Sequence, residues 1–535
     1  MGPPLILGFV KIADLFYEER TFGHAFRLQE TFTMNLRMLS YLAMLSFGLA
    51  LLLSLLRVSS VISFDAPIHN VTSGWEQESL FAMWKWLNDV AIYTEPRQIP
   101  YSISFYNWLF YELYGPLIWA AQLALNLPDD WIPTIGRSIT FLGALLGSAI
   151  GYLALLALAG GRGKPSGPEK LIAVSYAGLM FFGPLVGFWV FTVRTDIWAL
   201  MFEALAILIF WRHYGTRPLF SVLACATACY AAWAFKPISV FTAMTMPLWL
   251  FLHRDWRRGF LFSAVLGSAY GVTLLIGGDV YITSLFLNGE LGFDPQLAVR
   301  NTQNFLVKSA PFIAPLGAIV LVSVLRPASY SSLMTDGRFR FALIGAVISL
   351  MMMIPGSAKD GAAENYFMVP TLFLGGLAMV AIRKLQEQEE LPDRLCSIFQ
   401  AVVGAGWAAN ALAVCLVLAG IKGMVSIAPA ANYYIEGRKC VQVLPKPTFV
   451  EEFYLSLPWI NDSRPVIFPA YNYGFQRQMG HAFEKGGIGG LIESGHFKSI
   501  MIRTRANRFD GAELSGYSQA GECIGMTIYQ RKISD

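Results

Sequence analysis

Charge is what this sequence has least of. Asp, Glu, Lys and Arg make up 14% of its 535 residues, against roughly 25% in an ordinary soluble domain. That scarcity excludes both a conventional soluble enzyme and a disordered chain. The net charge of +4 gives no case for nucleic acid. Six cysteines make no disulfide scaffold in a chain this long. Cys225 and Cys229 stand four apart in an apolar run and read as small-residue helix packing. Also missing are His or Cys clusters at metal-ligand spacing, a glycine-rich loop before a lysine, a G-x-S-x-G elbow and any internal repeat. Residues 1–37 are not a cleavable signal: the apolar stretch Pro3–Val10 is short, and Asp14, Glu18 and Glu19 follow it. They read as a cytoplasmic leader.

What is present is apolar. Hydrophobic residues reach 55% and the mean hydropathy is +0.49. A membrane-spanning helix needs about 20 mostly apolar residues. Eleven runs qualify or nearly do: 38–58, 134–158, 171–191, 197–211, 218–235, 238–252, 259–277, 310–325, 341–355, 366–382 and 397–421. The expected fold is an all-α polytopic membrane protein of about 11 transmembrane helices over residues 38–421, with a small α/β extracytoplasmic domain at 422–535. In that last domain Val466–Phe468, Ser499–Ile502 and Met526–Tyr529 read as strands. Gly486, Gly487, Gly489 and Gly490 read as a loop. Cys440 and Cys523 lie in the same domain, where a disulfide would form in an oxidising compartment.

Cytoplasmic loops are enriched in Lys and Arg. With the N-terminus inside, the inner loops carry about twice as many of these residues as the outer ones, including the clusters Arg162, Lys164, Lys170 and Arg254, Arg257, Arg258. An odd number of spans then puts residues 422–535 outside. The first outer loop, 59–133, is long. Its aromatic stretches near Glu78–Leu87 and Tyr101–Leu127 are interrupted by Asn107, Glu112 and Pro116, and read as interfacial helices. The expected location is a bacterial inner membrane, N-terminus cytoplasmic and C-terminal domain periplasmic. Two N-x-S/T patterns occur, at Asn70 and Asn461.

Ionisable groups at a membrane are costly and mark function by default. On this topology they gather on the outer face. The first loop supplies Asp65, His69, Glu76 and Glu78. Arg194 and Asp196 head the fourth span. Lys236 stands before Pro237, and Lys359, Asp360, Glu364, Asn365 and Tyr366 lie between the ninth and tenth spans. Carboxylates and cations from four loops on one face suit a site that needs both a base and an anion clamp. Taken singly, each has a plainer role: Arg194 can snorkel to headgroups, Lys236 can end a helix, and a loop glutamate can be solvated.

At these residues the sequence resembles the type-C membrane glycosyltransferases, the superfamily of the protein O-mannosyltransferases and the bacterial lipid A aminoarabinose transferases. The likeness runs over most of residues 38–385, through short motifs in a fixed order. An acidic pair in Gly74-Trp75-Glu76-Gln77-Glu78 is followed by Ile92-Tyr93, with Asp89 where the family has a glycine. Pro100 through Tyr106 then enters an aromatic helix reaching Tyr114-Gly115. Arg194-Thr195-Asp196, Lys236 and Gly361-Ala362-Ala363-Glu364-Asn365-Tyr366 complete the series. Trp75 replaces the family's usual catalytic Asp, which leaves Glu76, Glu78 or Asp65 as base, Glu76 by alignment. Glu76 and Glu78 sit about 200° apart on a helix, so one of them faces a site.

The resemblance implies a polyprenyl-phosphate-linked sugar donor, a lipid, glycan or protein acceptor, and contact with membrane lipids. Arg194, Lys236 and Lys359 would hold the donor phosphate. Asp196, Asp360, Asn365, Tyr366 and His69 would orient those cations or bind sugar. No cofactor is demanded. Some family members use a divalent metal, for which Asp65, His69 and Glu76 would be a weak set. A transporter or flippase of a lipid-linked or anionic substrate is the competing class, with Glu203 as its intramembrane acid. It is disfavoured because transporters carry repeats and midplane charge. A structural scaffold leaves the outer-face charges unexplained.

Overall fold

The computed structural model describes residues 36–61, 76–160, 164–286, 292–325, 331, 333–387, 393–423, 425–469, 473–503 and 514–532. The chain is a helical bundle with a small mixed α/β domain at its C-terminal end. Its helices are α1 Leu36–Val61, α2 Glu76–Leu87, α3 Trp108–Leu125, α4 Ile132–Ala159, α5 Gly167–Phe182, α6 Asp196–His213, α7 Pro218–Phe235 and α8 Phe241–Leu252. They continue with α9 Trp256–Phe286, α10 Pro295–Lys308, α11 Ala310–Leu325, α12 Gly337–Gly356, α13 Met368–Glu387 and α14 Asp393–Leu418.

Ten of the eleven apolar runs fall largely on one of these helices; the run 171–191 leaves α5 at Gly183 and continues into a 3-10 turn, Gly187–Phe191. Among the described residues, seven segments are long and apolar enough to cross a membrane: Leu36–Val61, Asp129–Ala159, Pro218–Phe235, Trp256–Phe286, Gly337–Gly356, Glu364–Leu385 and Leu395–Leu418. The pair α10 and α11, bent by 86°, would make eight. The expected eleven therefore exceeds what length and composition support. α5 and α8 are short, with 16 and 12 residues, and α6 carries Asp196, Glu203 and Arg212 within its 18 residues.

Packing explains the helices that fall short. Nearly every residue in the apolar stretch of Glu364–Leu385 is buried, so α13 is the central post of the bundle. Around it α4 packs on α6, α6 on α7, α1 on α5 and α14, and α12 on α13. A glycine spine on α4 permits close approach: a Cβ at Gly136, Gly143 or Gly147 would stand 2.7, 2.7 or 2.4 Å from Val193, Trp198 or Phe181. Small residues at such contacts are how membrane helices gain dispersion contact without a hydrophobic driving force.

The first loop differs in part from expectation. α3 is not among the spanning candidates. It is capped by Asn107, whose oxygen accepts from Trp108 N and whose amide donates to Trp233 O at 3.0 Å. α2 does not lie against lipid: Glu76 through Lys85 are all buried. Its cover is the C-terminal domain, which stacks Phe468 on Phe81 at 4.3 Å between centroids.

That domain holds α15 Ala428–Val443, α16 Tyr473–Gln478 and α17 Gly487–Glu493, with β1 Thr448–Val450, β2 Ser499–Arg503, β3 Tyr517–Cys523 and β4 Met526–Arg531. The sheet order is β1-β2-β4-β3, with β1 parallel to β2 and the other pairs antiparallel. Two of the three expected strands form. Val466–Phe468 does not join the sheet; Phe468 N instead donates to Pro100 O at 2.9 Å, in the first loop. The glycines expected as a loop start one, Gly486 and Gly487 both having positive φ, and then run into α17, whose Gly487, Ile488, Leu491 and Ile492 are buried. Asn461 is buried and donates to Thr448 O, so this pattern does not present a glycan acceptor; Asn70 lies outside the described residues.

The domain and the first loop share one end of the bundle. Glu484 joins them three times, donating from its N to Arg97 O, accepting on Oε2 from Ile99 N and accepting on its carbonyl oxygen from the Tyr101 hydroxyl. Cys440 and Cys523 are disulfide-bonded, tying α15 to β3 across 83 residues of sequence. Cross-links of such loops contribute about 2–4 kcal/mol. Cys440→Ser is accordingly expected to lower the stability of this domain by about that amount, read as faster protease cleavage within residues 428–532 while the helical bundle keeps its thermal transition.

Candidate active site

The polar residues from separate loops meet in a cavity of about 310 Å³ at the end of the bundle that carries the first loop. Arg194, Lys236 and Lys359 line it, together with Asp360, Asn365 and Tyr366. Apolar residues line it as well: Phe105, Pro237, Ile238, Leu285 and Phe286. All three expected phosphate-binding cations are thus brought together, and so are three of the expected substrate-binding residues.

Local sequence explains each placement. Arg194 precedes α6, whose first residue is Asp196; an acid in the first turn favours the positive end of the helix dipole. Lys236 ends α7 in extended geometry, φ −137° and ψ 112°, as a residue before proline must. Asn365 and Tyr366 lie in a 3-10 turn, Glu364–Phe367, that leads into α13. Gly361 turns the loop between α12 and α13 at φ 78°, a conformation glycine adopts without steric cost, and its N–H donates to Asp360 Oδ1.

Asp196 is the hub. It lies just behind the cavity wall and is 4% exposed. Its Oδ1 accepts from Lys236 Nζ at 2.5 Å and from Asn365 Nδ2 at 2.7 Å, and its Oδ2 lies 3.3 Å from Arg194 Nε. The Lys236 ammonium also sits 5.4 Å over the Tyr366 ring. Lys359 takes no part in this knot. Burial pushes its ammonium down to about 8.

Glu76 and Glu78 are placed elsewhere. Neither Glu76 nor Glu78 lines the cavity. Glu76 is fully buried and forms a two-point ion pair with Arg137, Nε to Oε1 and Nη2 to Oε2, both 3.0 Å. Its Oε1 also accepts from Val193 N at 3.1 Å, and Arg137 Nη1 donates to Val61 O. This cluster ties α1, α2, α4 and the strand of chain leading to Arg194. Glu78 is buried on the same helix, close in charge to Lys85. The Lys85 ammonium bonds Ile92 O, Ser102 Oγ and Ser104 Oγ, and so fixes the irregular segment that delivers Phe105 and Tyr106 to the cavity. Asp65 and His69 lie outside the described residues. Among the described residues no three His, Cys, Asp or Glu side chains gather as a metal set.

Sequence reasoning missed Tyr106, which lines the cavity with its hydroxyl beside Arg194; its signal was the aromatic run from Pro100. It also missed Arg137, which looked like an isolated charge in an apolar run. Glu203, the acid of the transporter reading, accepts from Phe241 N at 3.2 Å and Thr242 N at 2.8 Å. It caps the first turn of α8, and that structural duty accounts for it.

A buried charge left without its counter-ion costs about 3–5 kcal/mol. Glu76→Gln is expected to lower the thermal midpoint in detergent markedly, because Arg137 stays charged. The double variant Glu76→Gln with Arg137→Met is expected to recover part of that loss; additive losses in the double variant would contradict the pairing.

No family model matches the chain, and no curated protein does. Solved structures do. The archaeal oligosaccharyltransferase AglB of Archaeoglobus fulgidus, in complex with an inhibitory peptide and a dolichol-phosphate, superposes with a TM-score of 0.55 at 11% identity, covering 86% of this chain and 69% of that one. A crystal structure of the Archaeoglobus fulgidus oligosaccharyltransferase with zinc and sulfate gives 0.49 at 11% identity, covering 85% and 67%. The chain therefore shares the overall fold of the archaeal oligosaccharyltransferase.

Proposed function

We propose that this protein is a membrane glycosyltransferase that moves a sugar from a polyprenyl-phosphate donor to an acceptor hydroxyl on the extracytoplasmic side. The observation that carries this reading is the convergence of Arg194, Lys236 and Lys359 on one cavity with an apolar wall. A lipid phosphate needs both surfaces. Its leaving group develops negative charge, and fixed cations in a water-poor cleft stabilise that charge most.

Charge matching favours a phosphodiester donor. Arg194, Lys236 and Lys359 stand against Asp196 and Asp360, leaving one net positive charge. A sugar joined through a single phosphate brings one negative charge; a diphosphate brings two. Asp360 is the carboxylate on the cavity wall, and we assign it the general-base role, worth about 10²–10⁴ in rate. In the balanced step, the acceptor oxygen takes the anomeric carbon as its proton passes to Asp360. The bond to the phosphate oxygen breaks, and its electron pair leaves with the polyprenyl phosphate. Attack opposite the phosphate inverts the anomeric centre. Glu76 acts through Arg137 and the Val193 peptide as a positioning residue for Arg194. Asp65 is the first-loop carboxylate left for the base role, and comparing Asp360→Asn with Asp65→Asn decides between them.

Two observations support an extracytoplasmic site. The C-terminal domain on the same end of the bundle carries a disulfide, which an oxidising compartment favours. The Lys and Arg bias puts the opposite loops in the cytoplasm.

The Lys359 ammonium gives a pH signature. It is charged below about 8 and neutral above. Binding of polyprenyl phosphate, measured by native mass spectrometry or tryptophan quenching, is expected to weaken as pH rises through about 8. Lys359→Arg moves that loss to higher pH, and Lys359→Met removes the pH step while weakening binding throughout. Binding that is insensitive to pH and to both variants would remove Lys359 from the phosphate site.

A further inference from the structure

The outward face of the helix α10 is mixed. Val299, Leu306 and Val307 are 58%, 47% and 57% exposed, beside exposed Gln296, Arg300 and Gln303, while Asn301 and Phe305 turn inward. On a helix facing water alone, apolar residues turn inward. Here three of them stay on the outside among polar ones, as on a helix at the boundary between water and an apolar medium. The neighbour supplies the medium's identity. α11 follows after one residue, at 86° to α10, and its Val320, Val324 and Leu325 are more than half exposed, as lipid-facing residues of a spanning helix are. A helix perpendicular to such a span lies in the plane of the membrane surface, where amphipathic helices bury one face among headgroups and upper acyl chains.

The inward face of α10 and the turn before it hold the loop that bears Lys359 and Asp360. Asn301 Nδ2 donates to Ser357 O at 3.0 Å and Ala362 O at 3.3 Å. Lys308 pairs with Glu364 at 2.7 Å. Asp294 N donates to Ala358 O at 2.7 Å, and Asp360 N to Gly292 O at 2.8 Å. Phe305 stacks on Phe367 at 4.6 Å. One rigid piece therefore joins the exposed Val299, Leu306 and Val307 to the cavity loop.

We propose that α10 is a lipid-docked helix whose seating in the outer surface of the bilayer fixes the position of the Lys359–Asp360 loop. Its partner is phospholipid at the glycerol level, and the inference does not rest on the reaction proposed above. Both parts are tested without an activity assay. Leu306→benzoylphenylalanine in phosphatidylcholine vesicles is irradiated and its products weighed. A phospholipid adduct is expected. An adduct to a second copy of the chain, or no adduct, would overturn the lipid assignment. For the coupling, Val299→Glu with Leu306→Glu is reconstituted, and amine labelling of Lys359 is followed by peptide mass spectrometry against exposed Lys439. Labelling of Lys359 is expected to rise towards that of Lys439 as the loop loosens. Labelling equal to wild type in the folded variant would overturn the coupling.

Discussion

The carboxylate of Asp196 is the constraint on which the site depends. Three segments far apart in sequence bring polar groups to it: Arg194 from the head of α6, Lys236 from the end of α7, and Asn365 from the turn into α13. Two cations held this close in a buried place would repel each other strongly without an anion between them. Asp196 therefore does more than balance charge. It sets the distance between two phosphate-directed groups before any ligand arrives, while Lys359 lines the same cavity outside that cluster.

Around that hub, buried polar groups do work that apolar packing cannot. A bundle of lipid-facing helices is held by dispersion and by a few interhelical hydrogen bonds, neither of which fixes the height of a loop to within an ångström. The Glu76–Arg137 pair does so for the chain leading to Arg194. Lys85 does so for the segment ending at Tyr106, and Asn301 for the loop of Lys359. Each is an expensive group placed where irregular backbone needs a partner, and each serves a different wall of the same cavity.

Much of this was legible in sequence because membranes make cost visible. Eleven apolar runs announced helices, and the residues that broke their composition, Arg194, Asp196, Lys236, Lys359 and Asn365, proved to be neighbours. Pairing was not legible. Nothing local in Glu76 shows that Arg137, 61 positions away, will take both its oxygens, so an acid that resembled a catalytic base by alignment sits in a structural cluster. Length and composition alone do not confirm eleven spans, because α5 and α8 are short and α6 carries charged residues. The glycines at 486–490 read as a loop because propensity is local, while α17 is held by Ile488 and Leu491 in the domain core. Val466–Phe468 had strand composition but found its partner in the first loop instead of the sheet.

The central claim is that the cavity receives a lipid phosphate on Arg194, Lys236 and Lys359. Its most direct test is a cryo-electron microscopy map of the protein in lipid nanodiscs with added polyprenyl phosphate. The account predicts phosphate density in hydrogen-bond contact with these three side chains and the polyprenyl chain leaving past Leu285 and Phe286. A cavity that stays empty at saturating lipid, or a phosphate bound at another place on the bundle, would contradict it.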